Sequence, residues 1–226
     1  MLRTPNKPLQ KSNRIVLFYL LLFNITMFMN VVVGIDGQRY TSLGVLAAIW
    51  IVDIAIFFTV WRSTSSFIVP SNEVPFYHLL ETFDPESLCP FCRVIRLPQS
   101  RHCNICNRCV ERYDHHCPWV NNCVGRTNHG NFYAHLVLVF AYCIGSSINA
   151  LIAIVKGGKE TASEEGVSEA ERKPIPDPFV FASIYTLLAF GIVFGVLVLA
   201  LVVYQTQNLC QGVTSRERSL KTRLNA

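Results

Sequence analysis

The sequence predicts an all-α polytopic membrane protein, four transmembrane helices with a cytosolic cysteine-rich insert between the second and the third. Three observations predict it. Hydrophobic residues make up 51% of the 226 residues, too many for an ordinary soluble domain of this length. They are bunched into four runs of membrane-crossing length rather than spread with a surface-helix period. Seven of the nine cysteines crowd between Cys89 and Cys123, in polar sequence between the second and third runs.

Residues 1–14 are polar, with Arg3, Lys7, Lys11 and Arg14. Ile15 to Val33 follows without a charge, long enough for a membrane helix. A signal peptide is the competing reading, because a basic segment precedes the apolar one. The run is too long for a signal-peptide core and no small-residue cleavage site follows it, so it reads as an anchor. Asn24-Ile25-Thr26 fits a glycosylation sequon, but inside a membrane span it is expected to be inert. Gly34 to Ser42 is a short turn. Leu43 to Trp61 is the second run, interrupted only by Asp53. An acid at bilayer depth is costly, and the favoured reading is that Asp53 caps or bonds a neighbouring helix. Trp50 and Trp61 suit interfacial or packing positions.

Residues 62–131 form the polar insert, with a core at 89–125. Phe132 to Val155 is the third run and Phe179 to Tyr204 the fourth, within 132–204. Between them Lys156 to Pro178 is rich in Gly, Glu and Pro and reads as a luminal surface loop. The tail 205–226 carries Arg216, Arg218, Lys221 and Arg223. No internal repeat stands out.

Four spans place both termini and the insert on one side. Four basic residues precede the first span, seven Arg lie between the second and third, and four basic residues follow the last. The opposite side has Arg39 in one loop and Lys156, Lys159, Arg172 and Lys173 in the other. The bias puts termini and insert in the cytosol. Reducing cytosol also suits unpaired thiols and zinc thiolates, where the same cysteine density outside would suggest disulfides.

Within the insert, C-x-x-C occurs at Cys89/Cys92, Cys103/Cys106 and Cys106/Cys109. That spacing brings two thiolates to one tetrahedral ion, usually zinc. Two closed sites need eight donors. The stretch offers seven Cys together with His102, His115 and His116, so at least two donors are left over for chemistry. Competing schemes fit less well. A disulfide scaffold leaves one cysteine odd and the histidines unexplained. A ferredoxin-type cluster needs a different spacing before Cys117-Pro118, and haem attachment needs a C-x-x-C-H that is absent. A RING- or LIM-like zinc adaptor remains the serious rival.

Near the end of the stretch stands Asp114-His115-His116-Cys117. Here the chain resembles the DHHC-type protein S-acyltransferases, or palmitoyltransferases. The resemblance runs through Cys89-Pro90-Phe91-Cys92, Pro98, Arg101-His102-Cys103, Cys106, Cys109, Asp114 to Cys117, Trp119, and Asn122-Cys123-Val124-Gly125. It implies one structural zinc on Cys89, Cys92, His102 and Cys109, and another on Cys103, Cys106, His116 and Cys123. It also implies that Cys117 is a nucleophile, with His115 taking its proton and Asp114 orienting His115. The thiolate then attacks a fatty acyl-CoA such as palmitoyl-CoA. The acyl-enzyme passes its chain to cysteines near the membrane in cytosolic or membrane-associated proteins. The alternative function is a non-catalytic membrane-anchored adaptor or RING-like ligase component.

By the same resemblance the acyl chain lies among the helices, Trp119 lines its mouth and Tyr142 limits its length; plain helix packing explains Tyr142 equally well. Arg126, with Arg93, Arg96, Arg101, Arg108 and Arg112, is a candidate for the CoA phosphates, with attraction to anionic lipid as the simpler reading. Nucleic acid is not an expected partner, because the basic residues sit in a membrane-tethered metal module. His78, His129 and His135 lack partners at ligand spacing and read as polar or core residues. Thr214-Ser215-Arg216-Glu217 is similar to the family's T-T-x-E, with Ser keeping a hydroxyl in second place; these residues are expected to support the active site. The family's D-P-G after the second span is matched only by Pro70, the basic residue before Pro98 is displaced to Arg96, and no longer C-terminal segment follows Glu217. The resemblance implies residence in endoplasmic reticulum, Golgi or plasma membrane.

Overall fold

The computed structural model describes residues 13–64, 66–70, 75–163 and 177–224. In chain order these form α1 (Arg14–Asp36), α2 (Tyr40–Arg62), the short α3 (Phe76–Thr82), six strands, α4 (His129–Ser163), α5 (Pro178–Cys210) and α6 (Ser215–Leu224). The helices α1, α2, α4 and α5 are the four expected runs, each long and apolar enough to cross a membrane. The cysteine-rich insert lies between α2 and α4.

The helices outrun their apolar segments. At the start of α5, Asp177 Oδ1 accepts the Phe179 N–H at 2.8 Å, and Pro178 fills the first turn where its missing N–H costs nothing. The expected loop from Lys156 is shorter than predicted, since α4 continues to Ser163. A helix nucleated by an apolar run propagates at little cost into residues such as Lys159, Glu160 and Ala162. The rest of that expected loop (164–176) and the basic segment 1–12 lie outside the described residues.

The chain divides into two compact units. One consists of Leu20–Ala55 and His135–Val203, and its described residues carry helices and no strand. Val33, Ala150, Val180, Ile184 and Leu187 form its buried cluster. Large apolar side chains such as Leu21, Ile25, Val45, Ile51, Val193 and Val196 face outward, as lipid-facing surface does. Several of its buried polar groups pair across helices. Asn30 Nδ2 donates to Ser146 Oγ at 2.9 Å and to the Tyr142 hydroxyl at 3.2 Å. Asp53 on α2 meets His135 Nδ1 on α4 at 2.7 Å, both side chains almost wholly buried. The acid therefore bonds a neighbouring helix.

The other unit consists of residues up to Tyr19, Ile56–Ala134 and Tyr204 onward. Its centre is three antiparallel hairpins, each a separate two-stranded sheet: β1 (Leu88–Cys89) with β2 (Val94–Ile95), β3 (Arg101–Cys103) with β4 (Arg108–Val110), and β5 (His115–Cys117) with β6 (Asn122–Val124). Cys89, Cys103 and Cys117 occupy corresponding places, fourteen residues apart. This is a short structural repeat that reading the sequence for repeats missed. In each hairpin the turn returns through a left-handed residue, Arg93, Asn107 or Asn121. Asn tolerates that region best among residues with a side chain.

The buried groups of this module are mostly ligand-type side chains. Cys89, Cys92, Cys109 and Val94 form one cluster, Cys103, Cys106, Cys123 and Val110 another. So small an apolar core cannot hold six short strands, and metal binding is the natural source of the missing stability. Asn122 joins the module to α2. Its Nδ2 donates to the carbonyls of Val60 and Ser63, each at 2.8 Å, at the C-terminal end of the helix, where the last carbonyls have no intrahelical donor four residues on. Gly125 is required by contact: a Cβ there would meet Glu111 O and Val110 Cγ1 at 2.8 Å.

Candidate functional site

Two groups of four ligand atoms converge among the described residues, Cys89, Cys92, His102 and Cys109, and Cys103, Cys106, His116 and Cys123, all atoms of a group within 4.8 Å of one another. Within them Cys89 and Cys92 Sγ lie 3.7 and 3.2 Å from His102 Nδ1. Cys103, Cys106 and Cys123 Sγ lie 3.8, 3.4 and 3.6 Å from His116 Nδ1. Donors around a tetrahedral zinc are separated by about 3.6–3.8 Å, so the residues fit that ion in number, softness and spacing. The hairpin registers explain the interleaving. His102 is paired with Cys109 across β3–β4, and His116 with Cys123 across β5–β6.

The pleat of β5 separates the two adjacent histidines. Side chains alternate between the faces of a strand, so His116 points to the metal cluster while His115 and Cys117 share the other face. His115 Nδ1 donates to Asp114 Oδ2 at 2.7 Å, and the ring also hydrogen-bonds the Cys117 thiol. Nδ1 is committed to Asp114, which leaves Nε2 for the thiol. Phe132 packs edge-on against the His115 ring, centroids 5.2 Å apart.

The electrostatics follow. Burial opposes ionisation of Asp114, but hydrogen bonds from His115 and Ser215 outweigh it and hold the carboxyl at about 2. Burial also disfavours a charged His115, yet Asp114 and Cys117 together raise it to about 9. The buried Cys117 thiol is lowered against its own desolvation, chiefly by the His115 hydrogen bond and charge, helped by the backbone N–H groups of Val120 and Trp119. The same backbone contact occurs in a metal hairpin, where Cys106 N–H donates to Cys103 Sγ at 3.4 Å. Cys117 thus sits in a third cysteine hairpin whose second cysteine is replaced by Val120.

Asp114 is the hub. Ser215 donates to it twice, backbone N–H to Oδ1 at 2.5 Å and Oγ to Oδ2 at 2.9 Å. Thr214 and Glu217 fix Ser215 by a reciprocal capping box at the start of α6: Thr214 N–H donates to Glu217 Oε2 at 2.8 Å, and Glu217 N–H to Thr214 Oγ1 at 3.2 Å. This arrangement satisfies two donors that a helix start leaves unpaired.

The other expected site residues are spread more widely. Trp119 is half exposed, meets Tyr19 edge-on at 6.5 Å, and lines a groove of about 400 Å³ with Arg14, Ile15, Phe18 and Pro118. Arg126 is ion-paired with Glu111 beside a cleft of about 500 Å³ that also takes in Leu97, Pro98, Gln99 and Arg112. Tyr142 is fully buried in the helical unit, its hydroxyl among Thr26, Asn30 and Met27. Sequence reading missed Gln205, Asn208 and His129. Gln205 Nε2 reaches Asp114 Oδ2 at 3.2 Å, Asn208 Nδ2 donates to Ser215 Oγ at 3.0 Å, and His129 Nε2 lies 3.3 Å from Gln205 Oε1. The available signal was two amides three residues apart, on one helix face, where an apolar run ends.

Comparison with known proteins agrees with this geometry. The DHHC palmitoyltransferase family model matches residues 82–222, well over half of the chain. The chain is 39% identical over 90 residues to Palmitoyltransferase Hip14 of Drosophila melanogaster, covering 37% of this chain and 14% of that one. It is 43% identical over 74 residues to Palmitoyltransferase SWF1 of Saccharomyces cerevisiae, covering 32% and 21%. To Palmitoyltransferase ZDHHC4 of Bos taurus it is 35% identical over 106 residues, covering 45% and 31%. The match thus spans about a seventh to a third of the length of these relatives. With the matched region holding both ligand clusters and the Asp114–His115–Cys117 face, the chain belongs to the DHHC palmitoyltransferase family.

Proposed function

We propose that this protein is a protein S-palmitoyltransferase that moves a long acyl chain from acyl-CoA, through a thioester on Cys117, to cysteines of membrane-associated proteins. The observation that carries the reading is the split within β5, in which His116 belongs to a ligand cluster while His115 and Cys117 face away from it, with Asp114 behind. A zinc adaptor explains the clusters but needs no Cys–His–Asp constellation outside them.

In this reading His115 takes the Cys117 proton and Asp114 stabilises the imidazolium. Cys117 Sγ attacks the thioester carbonyl and forms a new C–S bond; the bond to CoA breaks, and the CoA thiolate leaves with the proton from His115. An acceptor thiol then gives its proton to His115 and attacks the Cys117 thioester, which returns the thiol of Cys117. Each step exchanges one thioester for another, so catalysis rests on proximity and orientation rather than driving force. Cys89, Cys92, His102 and Cys109, with Cys103, Cys106, His116 and Cys123, would hold two zinc ions, which when bound supply the stability that fixes the hairpins.

The remaining assignments rest on resemblance and charge bias. Trp119 and Tyr142 contact the acyl chain and Arg126 the CoA phosphates. Termini and insert face the cytosol, and the protein resides in the endomembrane system, from endoplasmic reticulum to plasma membrane. The two half-reactions separate experimentally. Protein preloaded with labelled palmitate and freed of acyl-CoA should transfer its label to an added lipidated cysteine peptide, with equimolar loss from Cys117. Label that stays on the protein while transfer requires fresh acyl-CoA would overturn the two-step order.

A further inference from the structure

Nothing in the Cys117 chemistry above uses Gln205 or His129, yet their side chains complete the surroundings of Asp114. Gln205 lies near the end of α5 and is 4% exposed. Its Nε2 approaches Asp114 Oδ2 at 3.2 Å and Ser215 Oγ at 3.3 Å. Its Oε1 lies 3.3 Å from Nε2 of His129, the first residue of α4. An amide can sit either way round. The carboxylate on its nitrogen side can only accept, which favours the orientation that sends N–H to Asp114, and the Nε2–H tautomer of His129 then donates to Oε1.

The contact bears on catalysis through one torsion. A carboxylate turns easily about its last side-chain bond, whose wells are broad. Asp114 Oδ2 accepts from His115 Nδ1 at 2.7 Å and from Ser215 Oγ at 2.9 Å. Those two donors come from the adjoining residue and from the α6 start. Gln205 is the donor from α5, and it closes the third side. Without it the carboxylate gains freedom to turn, and the His115 ring follows the oxygen it bonds.

We propose that Gln205, oriented by His129, is a positioning residue of the Asp114–His115–Cys117 constellation, acting through the Asp114 carboxylate. The proposal rests on the acyl-enzyme reading for its main assay. It makes the ends of α4 and α5 part of the catalytic support, not only of the membrane anchor.

The test uses the full chain in nanodiscs and follows single-turnover loading of Cys117 with palmitoyl-CoA. Gln205→Met keeps length and volume but removes both polar ends. It should lower the maximal loading rate about tenfold, as expected for a lost hydrogen bond to a charged group. The half-saturating palmitoyl-CoA concentration, zinc content and melting temperature should stay unchanged. His129→Ala should lower the rate about threefold alone and add nothing in the Gln205→Met background. An unchanged rate in Gln205→Met would overturn the proposal. So would a raised half-saturating concentration at constant rate, or fully additive effects of the two substitutions. Iodoacetamide alkylation of Cys117, followed on its peptide by mass spectrometry, reads the same constellation without acyl-CoA. A wild type that never loads but loses alkylation rate in Gln205→Met would sink the transferase reading and keep the positioning role. Equal alkylation rates would remove the positioning role as well.

Discussion

Ser215 holds Asp114 by both of its donors, the backbone N–H on Oδ1 at 2.5 Å and the hydroxyl on Oδ2 at 2.9 Å. The pair connects the start of α6 to the strand that carries Cys117, across a hundred residues of sequence. It also shows why Ser serves where the family has Thr: the hydroxyl, not the methyl, makes the contact. Ser215→Ala should slow Cys117 loading about tenfold, because the backbone donor remains. Ser215→Thr should load within about twofold of wild type. Rate constants from labelled palmitoyl-CoA check both, and an inert Ser215→Ala would show that the hydroxyl is dispensable.

The adjacent histidines should fail differently. His115→Ala is expected to keep two zinc ions per chain and lose loading by about a hundredfold or more, the usual worth of a positioned base. His116→Ala should release one of the two zincs and destabilise the module. Metal analysis on the same samples as the loading assay decides this. Zinc loss from His115→Ala would mean the two side chains have exchanged places.

Removal of metal should act on structure first. Chelation, or Cys109→Ala in one cluster and Cys123→Ala in the other, should abolish the protease resistance of the insert together with loading. Protection of the helices α1, α2, α4 and α5 should persist, since their buried contacts do not involve the ligands. Hydrogen exchange resolves the two regions. A chelated protein whose hairpins stay protected would contradict metal-dependent folding.

The capping box and the membrane pair supply stability tests, the first beside the Asp114 support and the second away from the chemistry. Glu217→Ala should cost about 1 kcal/mol at the start of α6 and loosen Ser215 with it. Asp53→Ala leaves His135 without its 2.7 Å partner and should cost about 1–3 kcal/mol in thermal stability, with loading per folded molecule unchanged. Scanning calorimetry in detergent reads both costs. A neutral Asp53→Ala would assign the pair no role in holding α2 to α4.

The four helices, the position of the insert and the presence of enough donors for two metal sites were legible in the sequence, because apolar run length and C-x-x-C spacing have few physical solutions; which donors share a site came from family resemblance. The choice between His115 and His116 was taken from family resemblance. A period-two strand over His115–Cys117 contains it, once that strand is known to exist. The fourteen-residue hairpin repeat escaped notice because Val120 stands where the other hairpins have a second cysteine. The ends of α4 were misjudged since propensity beyond an apolar run is weak evidence either way. Gln205, Asn208 and His129 were invisible for a different reason. Their role depends on which carboxylate the fold brings to them, and no local pattern carries that.

Acyl loading of the purified protein with a clickable palmitoyl-CoA, wild type beside Cys117→Ser, tests the central claim most directly. A hydroxylamine-labile label on wild type and none on Cys117→Ser, with two zincs bound in each, is the predicted result. Equal labelling of the two proteins, or none on a wild type holding both zincs, would contradict a Cys117 acyl-enzyme.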